Sequence, residues 1–206
     1  MRSLDAAQRS GDVSQSGEED IILKHTASLP VKRFLDIGAG DGKTFSNTYT
    51  LAQKGWGGVC VEPAPWNFDY LVKCYQERKD IFCVNAVVTA THTGLIDFYY
   101  TRGDHLSSTS LAHTRTWPNV EFRPITGVGV KLHDLLDYFD EDFSFVSIDT
   151  EGTTMELLDA YKSHDRWDAV RVICIEVENS RQREEVNFVK DFRQKEETAN
   201  NVILAR

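Results

Sequence analysis

The residues best equipped for chemistry in this chain of 206 are acids set beside glycines. Asp36, Gly38, Gly40 and Gly42 stand in D-x-G-x-G-x-G spacing. Glycines at these places let the backbone turn sharply and let a ligand approach it without meeting a Cβ. A dinucleotide fingerprint requires G-x-G-x-x-G, and its third glycine, counted from Gly38, would fall at Lys43. An acid two residues before the turn disfavours a pyrophosphate. It suits a ligand with an ammonium group and a positive centre, and S-adenosylmethionine has both. Glu62 lies 26 residues after Asp36, near where a Rossmann-type unit presents a carboxylate to ribose hydroxyls. Pro63 would then rest against the adenine. Asp149 and Glu151, one residue apart, can divide the work of a base, Asp149 facing cofactor and acceptor while Glu151 orients or takes the proton. The plainer alternative is that Thr150 and Glu151 cap a helix starting near Thr153. Glu178 is the substitute candidate.

Such residues need strands that deliver them to one edge. The apolar run Val31, Phe34, Leu35 and Ile37 predicts a buried strand ending at the glycine turn. A helix is expected over about Lys43 to Lys54, with Phe45, Tyr49 and Ala52 on one face, and Asn47 near its start as a contact to the cofactor. Val59 to Val61 predicts a second strand tipped by Glu62. Phe68, Leu71, Val72 and Tyr75 predict a helix from Pro65. Ile81 to Val88 reads as a third strand, from which Asn85 either reaches the adenine or caps a turn. Further on, Leu132, Leu135, Leu136 and Phe139 form a helix face, and Phe143 to Ile148 a strand tipped by Asp149. A helix carrying Leu157, Leu158 and Tyr161 follows, then a strand from Val170 to Val177. The end of the chain offers a helix, roughly Arg183 to Phe192, and a strand, Asn201 to Ala205, with any edge hairpin cut short. This alternation predicts an α/β fold with a mostly parallel, doubly wound sheet. One domain is expected over 13–206 after a loose polar arm at 1–12. Acids in the first turn of a short helix around Ile21 to Leu23 suit its dipole. Gln15 and its neighbours either cap that helix or close over the ligand.

One stretch breaks the pattern. Leu95 to Tyr100 looks like an added strand, and 103–127 is a long polar segment of the kind that is functional or disordered in a compact domain. It reads as a lid over the acceptor, with Arg102, Arg115 and Trp117 touching substrate. His105 and His113 have no partner at metal-ligand spacing and read as surface residues, so no metal is assigned. Hydrophobic residues make up 41% and charged residues 27%, enough for one sizeable core. No apolar run approaches the ~20 residues of a membrane span, and no apolar signal region is evident. The four cysteines, Cys60, Cys74, Cys83 and Cys174, read as reduced core residues, which gives the expectation of a cytoplasmic protein. A net charge of −9 without a basic stripe argues against a nucleic-acid partner.

Six ordered motifs carry a resemblance that spans most of the chain. They are Ser14-Gln15-x-Gly17-Glu18, Asp36-x-Gly38-Ala39-x-Asp41-Gly42, Ser46-Asn47-Thr48, Gly55-Trp56-x-Gly58, Glu62-Pro63-x-Pro65 and Ser147-Ile148-Asp149-Thr150-Glu151-Gly152. Together they resemble the FkbM-type S-adenosylmethionine-dependent methyltransferases. The resemblance implies the seven-stranded Rossmann-like class I methyltransferase fold. It also implies methyl transfer to a hydroxyl oxygen, often on a sugar or natural product. Two other classes stand beside it: a degenerate methyltransferase fold serving as a binding scaffold, and a nucleotide-linked oxidoreductase.

Overall fold

The computed structural model describes residues 15–102, 106–187 and 189–206. The polar arm at 1–12 and His105 therefore lie outside the described residues. In chain order the strands are β1 Arg33–Ile37, β2 Gly57–Val61, β3 Ile81–Val84, β4 Val87–Thr89 and β5 Gly94–Tyr100. They continue as β6 Arg123–Lys131, β7 Phe145–Ile148, β8 Val172–Glu176, β9 Gln194–Glu197 and β10 Asn201–Ala205. Seven of them form one sheet in the order β3-β2-β1-β7-β8-β10-β9. Strands β3, β2, β1, β7 and β8 run parallel, and β10 is antiparallel to both β8 and β9. This is the α/β, Rossmann-like arrangement.

Strand side chains alternate between faces, and two apolar layers result. Leu35, Ile37, Val59, Val61, Val146 and Ile148 pack on one face against α5 (Leu132–Phe139) and α6 (Thr154–Lys162). Phe34, Cys60, Phe145, Val172 and Cys174 pack on the other, against α1 (Glu18–Thr26), α2 (Tyr49–Gln53) and α3 (Pro65–Tyr75). Proline at the first position of α3 suits the helix start, where no amide partner is needed. All four cysteines are free thiols. No helix among the described residues is long and apolar enough to cross a membrane.

Four expected elements are corrected. The helix after the glycine turn begins at Tyr49, not Lys43. Asp41 Oδ1 accepts from the amides of Lys43 and Thr44, and Ser46 Oγ from those of Thr48 and Tyr49. Such side-chain bonds hold the backbone in turns and postpone the helix; Phe45 has φ 59°. The third strand breaks at Asn85 into β3 and β4, which belong to different sheets. The segment 103–127 is not wholly loop. It contains α4 (Leu111–Thr114), and its end belongs to β6, which pairs with β5 and β4 in a second, three-stranded sheet. Pro124, Gly127 and Gly129 conceal that strand in the sequence. At the C-terminal end, α7 (Ser180–Asn187) is displaced from the expected span, and the edge hairpin β9–β10 is complete. Gln194-Lys195-Glu196-Glu197 is a charged edge strand, the kind that resists edge-to-edge pairing and carries no apolar signal.

Candidate active site

The C-terminal ends of β1, β2, β7 and β8 open into one cleft of about 1010 Å³, counted out to its mouth. Asp36, Glu62, Asp149, Glu151 and Glu176 line it, and no Lys, Arg or His does so among the described residues. Gly38 fixes the junction of the two central strands. It has φ 88°, and a Cβ there would stand 1.6 Å from the main-chain oxygen of Asp149. The Asp149 amide in turn donates to Ile37 O at 2.9 Å. Only glycine lets the tips of β1 and β7 approach this closely.

Glu62 is held by backbone. The Gly40 amide donates to Oε2 and the Ala64 amide to Oε1, each at 2.8 Å. A carboxylate oxygen accepts more than one hydrogen bond, so both retain capacity for a ribose diol. Burial pushes Glu62 up to about 7, although the two amides act against it. Asp36 is raised to about 6 by burial, opposed by hydrogen bonds from Thr48 and Ser147. Thr48 Oγ1 donates to Asp36 Oδ2 at 2.5 Å. Gln15, Asn47 and Pro63 also line the cleft, and Asn47 Nδ2 donates to Ser147 Oγ at 3.2 Å. Asn85 does not line it. Its amide donates to Glu62 O and Pro63 O at 2.8 and 3.2 Å, so Asn85 fixes the turn that carries Glu62.

At the opposite end Asp149 and Glu176 share a hydrogen bond. Burial and then the charge of Glu151 raise Asp149; burial and then the charge of Asp149 raise Glu176. Their hydrogen bond lowers Asp149 and raises Glu176, which makes Glu176 its donor. Glu176 lines the cleft, where sequence reasoning chose Glu178 instead. The signal was available: Ile148 pairs with Ile175, and one more step of that register sets Asp149 beside Glu176. Glu151 has φ 45°, uncommon for a residue with a side chain and a place where strain accompanies function. Its main-chain oxygen accepts from Ser108 Oγ, and its carboxylate faces His113 at 3.1 Å. The capping alternative fails for Glu151, because the cap of α6 is Thr153 and receives no side-chain bond.

The outer residues need correction. His113 is 8% exposed, not a surface residue, and its Nδ1 lies 3.1 Å from Glu178 Oε1. Its partners are distant in sequence, so spacing could not reveal them. Arg102 stacks on Trp66 at 4.4 Å, while Arg115 and Trp117 are exposed; none of the three lines the cleft. Ser107, Ser108 and Thr109 of the inserted segment line it instead.

These residues fit S-adenosylmethionine. Pro63, Ala86, Val87, Val88 and Phe98 form an apolar wall of the kind an adenine needs, the acceptor capacity left on Glu62 suits a ribose diol, and an acidic floor without basic side chains among the described residues suits a cation. The same floor opposes the pyrophosphate of a dinucleotide. The METTL16 MTase domain has a TM-score of 0.50 at 14% identity, over 90% of this chain and 64% of that one. The N-terminal domain of human METTL16 has a TM-score of 0.47 at 17% identity, over 91% and 66%. TrmK of M. capricolum, solved with S-adenosylhomocysteine, has a TM-score of 0.45 at 12% identity, over 93% and 67%. At these identities the first of them shares a fold and no more. This chain spans less than two thirds of the length of either METTL16 structure. No curated protein matches in sequence. The description "Methyltransferase FkbM domain" matches residues 36–201. The chain therefore belongs to the FkbM methyltransferase domain family, with S-adenosylmethionine as its cofactor.

Proposed function

We propose that the protein methylates a hydroxyl oxygen on a sugar or small natural product. The observation that supports this most is Asp149, a carboxyl group on the cleft wall, raised by burial toward neutral pH. Among the described residues it is in no ion pair with a cation. Bound cofactor supplies an activated methyl group. The chain must then hold, orient and deprotonate. Glu62 and Pro63 hold the ribose and adenine. Asp36 serves the amino group, directly or through water, and Gly38 and Gly40 let the backbone come close. Asp149 takes the acceptor's proton, steadied by the hydrogen bond from Glu176. Ser107, Ser108 and Thr109 offer hydroxyls to a hydroxylated acceptor. The absence of Lys and Arg among the described lining residues disfavours a nucleic acid, whose affinity comes largely from phosphate contacts. The four free thiols suit a reducing, cytoplasmic setting.

Calorimetry against S-adenosylhomocysteine and NAD, with labelled methyl transfer to a panel of sugars and small hydroxylated compounds, tests the reading. Binding of NAD alone overturns it, and cofactor binding without transfer to any acceptor favours a scaffold. Glu62→Gln is expected to weaken S-adenosylhomocysteine binding about tenfold, by roughly 1.5 kcal/mol, as one hydrogen bond to a charged group is lost. Unchanged affinity in the folded variant removes Glu62 from the ribose.

A further inference from the structure

We infer that His113 and Glu151 hold a divalent cation, with Glu178 as the carboxylate that orients the His113 ring. One ligand atom from each of these three side chains lies within 4.8 Å of the others. No Lys or Arg forms an ion pair with Glu151 or Glu178 among the described residues; each is paired with His113.

The geometry favours a metal over a simple imidazolium pair. The Nε2 of His113 is buried and lies 3.1 Å from Glu151 Oε2, yet it has no hydrogen-bond partner. Its in-plane direction misses that oxygen. An imidazolium would aim its N–H at the carboxylate, and leaving a buried donor unsatisfied is costly. Two ligands at right angles on one ion, each ~2.1 Å from it, stand about 3.0 Å apart with neither pointing at the other. That is the separation found here. On the other side of the ring, Nδ1 is within hydrogen-bond distance of Glu178. A carboxylate there fixes the tautomer and leaves Nε2 free to ligate.

Imidazole with carboxylates suits Mn²⁺, Fe²⁺ or Zn²⁺ better than the all-oxygen preference of Mg²⁺ or Ca²⁺. Such an ion would fasten α4 of the inserted segment to the tips of β7 and β8. Its remaining positions would lie beside Glu151 on the cleft wall. The inference goes beyond methyl transfer and needs no turnover to be read.

The test uses chelator-stripped whole chain titrated with Mn²⁺, without cofactor, and followed by electron paramagnetic resonance. One ion bound with a dissociation constant below about 1 mM, with a nitrogen modulation in the spin-echo spectrum, is the expected result. His113→Ala is expected to abolish the nitrogen signal. Glu178→Gln, at an exposed position, should weaken binding about 10- to 100-fold, the usual range for such an orienting partner. No binding of Mn²⁺ or Zn²⁺ overturns the inference. So does Mn²⁺ binding without a nitrogen signal, which would place the ion on Asp149, Glu151 and Glu176 instead. Binding of S-adenosylhomocysteine by the stripped protein, measured separately, keeps this outcome apart from the fate of the methyltransferase reading.

Discussion

Asp149→Asn is expected to lower kcat by about 10²-fold or more, the usual contribution of a positioned base, with little change in cofactor affinity. The substitution keeps the size of the side chain and its ability to accept a hydrogen bond from Glu176, but removes the basic oxygen. The close contact with Gly38 involves the main-chain oxygen of Asp149, so the junction of β1 and β7 survives. Glu62 keeps both of its backbone donors. A fold and a cofactor site that persist while turnover collapses would separate proton removal from binding. The pH profile sharpens the test. Because burial and Glu151 raise Asp149, the wild-type rate should climb toward neutral pH as the carboxyl group ionises, and the variant should lack that limb. Near-full turnover of the variant from pH 6 to 9 removes Asp149 as the base. The enzyme would then work by aligning acceptor and methyl group alone.

What the sequence made legible follows from which interactions are local. Buried parallel strands read as apolar runs, so β1, β2, β7 and β8 were found with their tips, and Asp36, Glu62, Asp149 and Glu151 came with them. The cleft joins all four. What was missed depends on contacts across the fold. His113 acquires its role only when α4 is folded back beside β7 and β8, bringing it to partners 38 and 65 residues away. Thr48 supports Asp36 because side-chain turns delay α2, a competition that helical periodicity does not register. Strand β6 is written with proline and two glycines, and β9 with four polar residues, so neither shows alternation of apolar character. Arg102, Arg115 and Trp117 were chosen for chemistry alone. Chemistry without a contact could not say that none of them lines the cleft.

Affinity for S-adenosylmethionine should tighten on the order of a hundredfold between pH 5.5 and 7.5, while the stability of the cofactor-free protein falls over the same range. The affinity trend comes from Asp36 and Glu62, which also contribute to the stability trend. Burial raises them to about 6 and about 7 from ordinary values of 3.8 and 4.5. Between about pH 4 and 7 the folded chain keeps protons that the unfolded chain has released, so its stability declines as pH rises through that window. For Glu62 alone the raised value corresponds to roughly 3 kcal/mol at most. Binding has the opposite sign, because a cationic ligand and a ribose diol both favour the ionised carboxylates. Two hydrogen bonds or contacts to charged groups, at about 1.5 kcal/mol each, give the hundredfold. The range stops at 7.5 because an α-amino group loses its own proton near 7.7 to 8.0. Calorimetry at several pH values, with thermal unfolding of the free protein alongside, reads both trends. The double variant Asp36→Asn, Glu62→Gln should flatten the affinity trend and lessen the fall in stability, to which the raised Asp149 and Glu176 also contribute. A wild-type affinity that stays level across the window would mean that these acids do not meet the cofactor, however well the cleft is shaped for it.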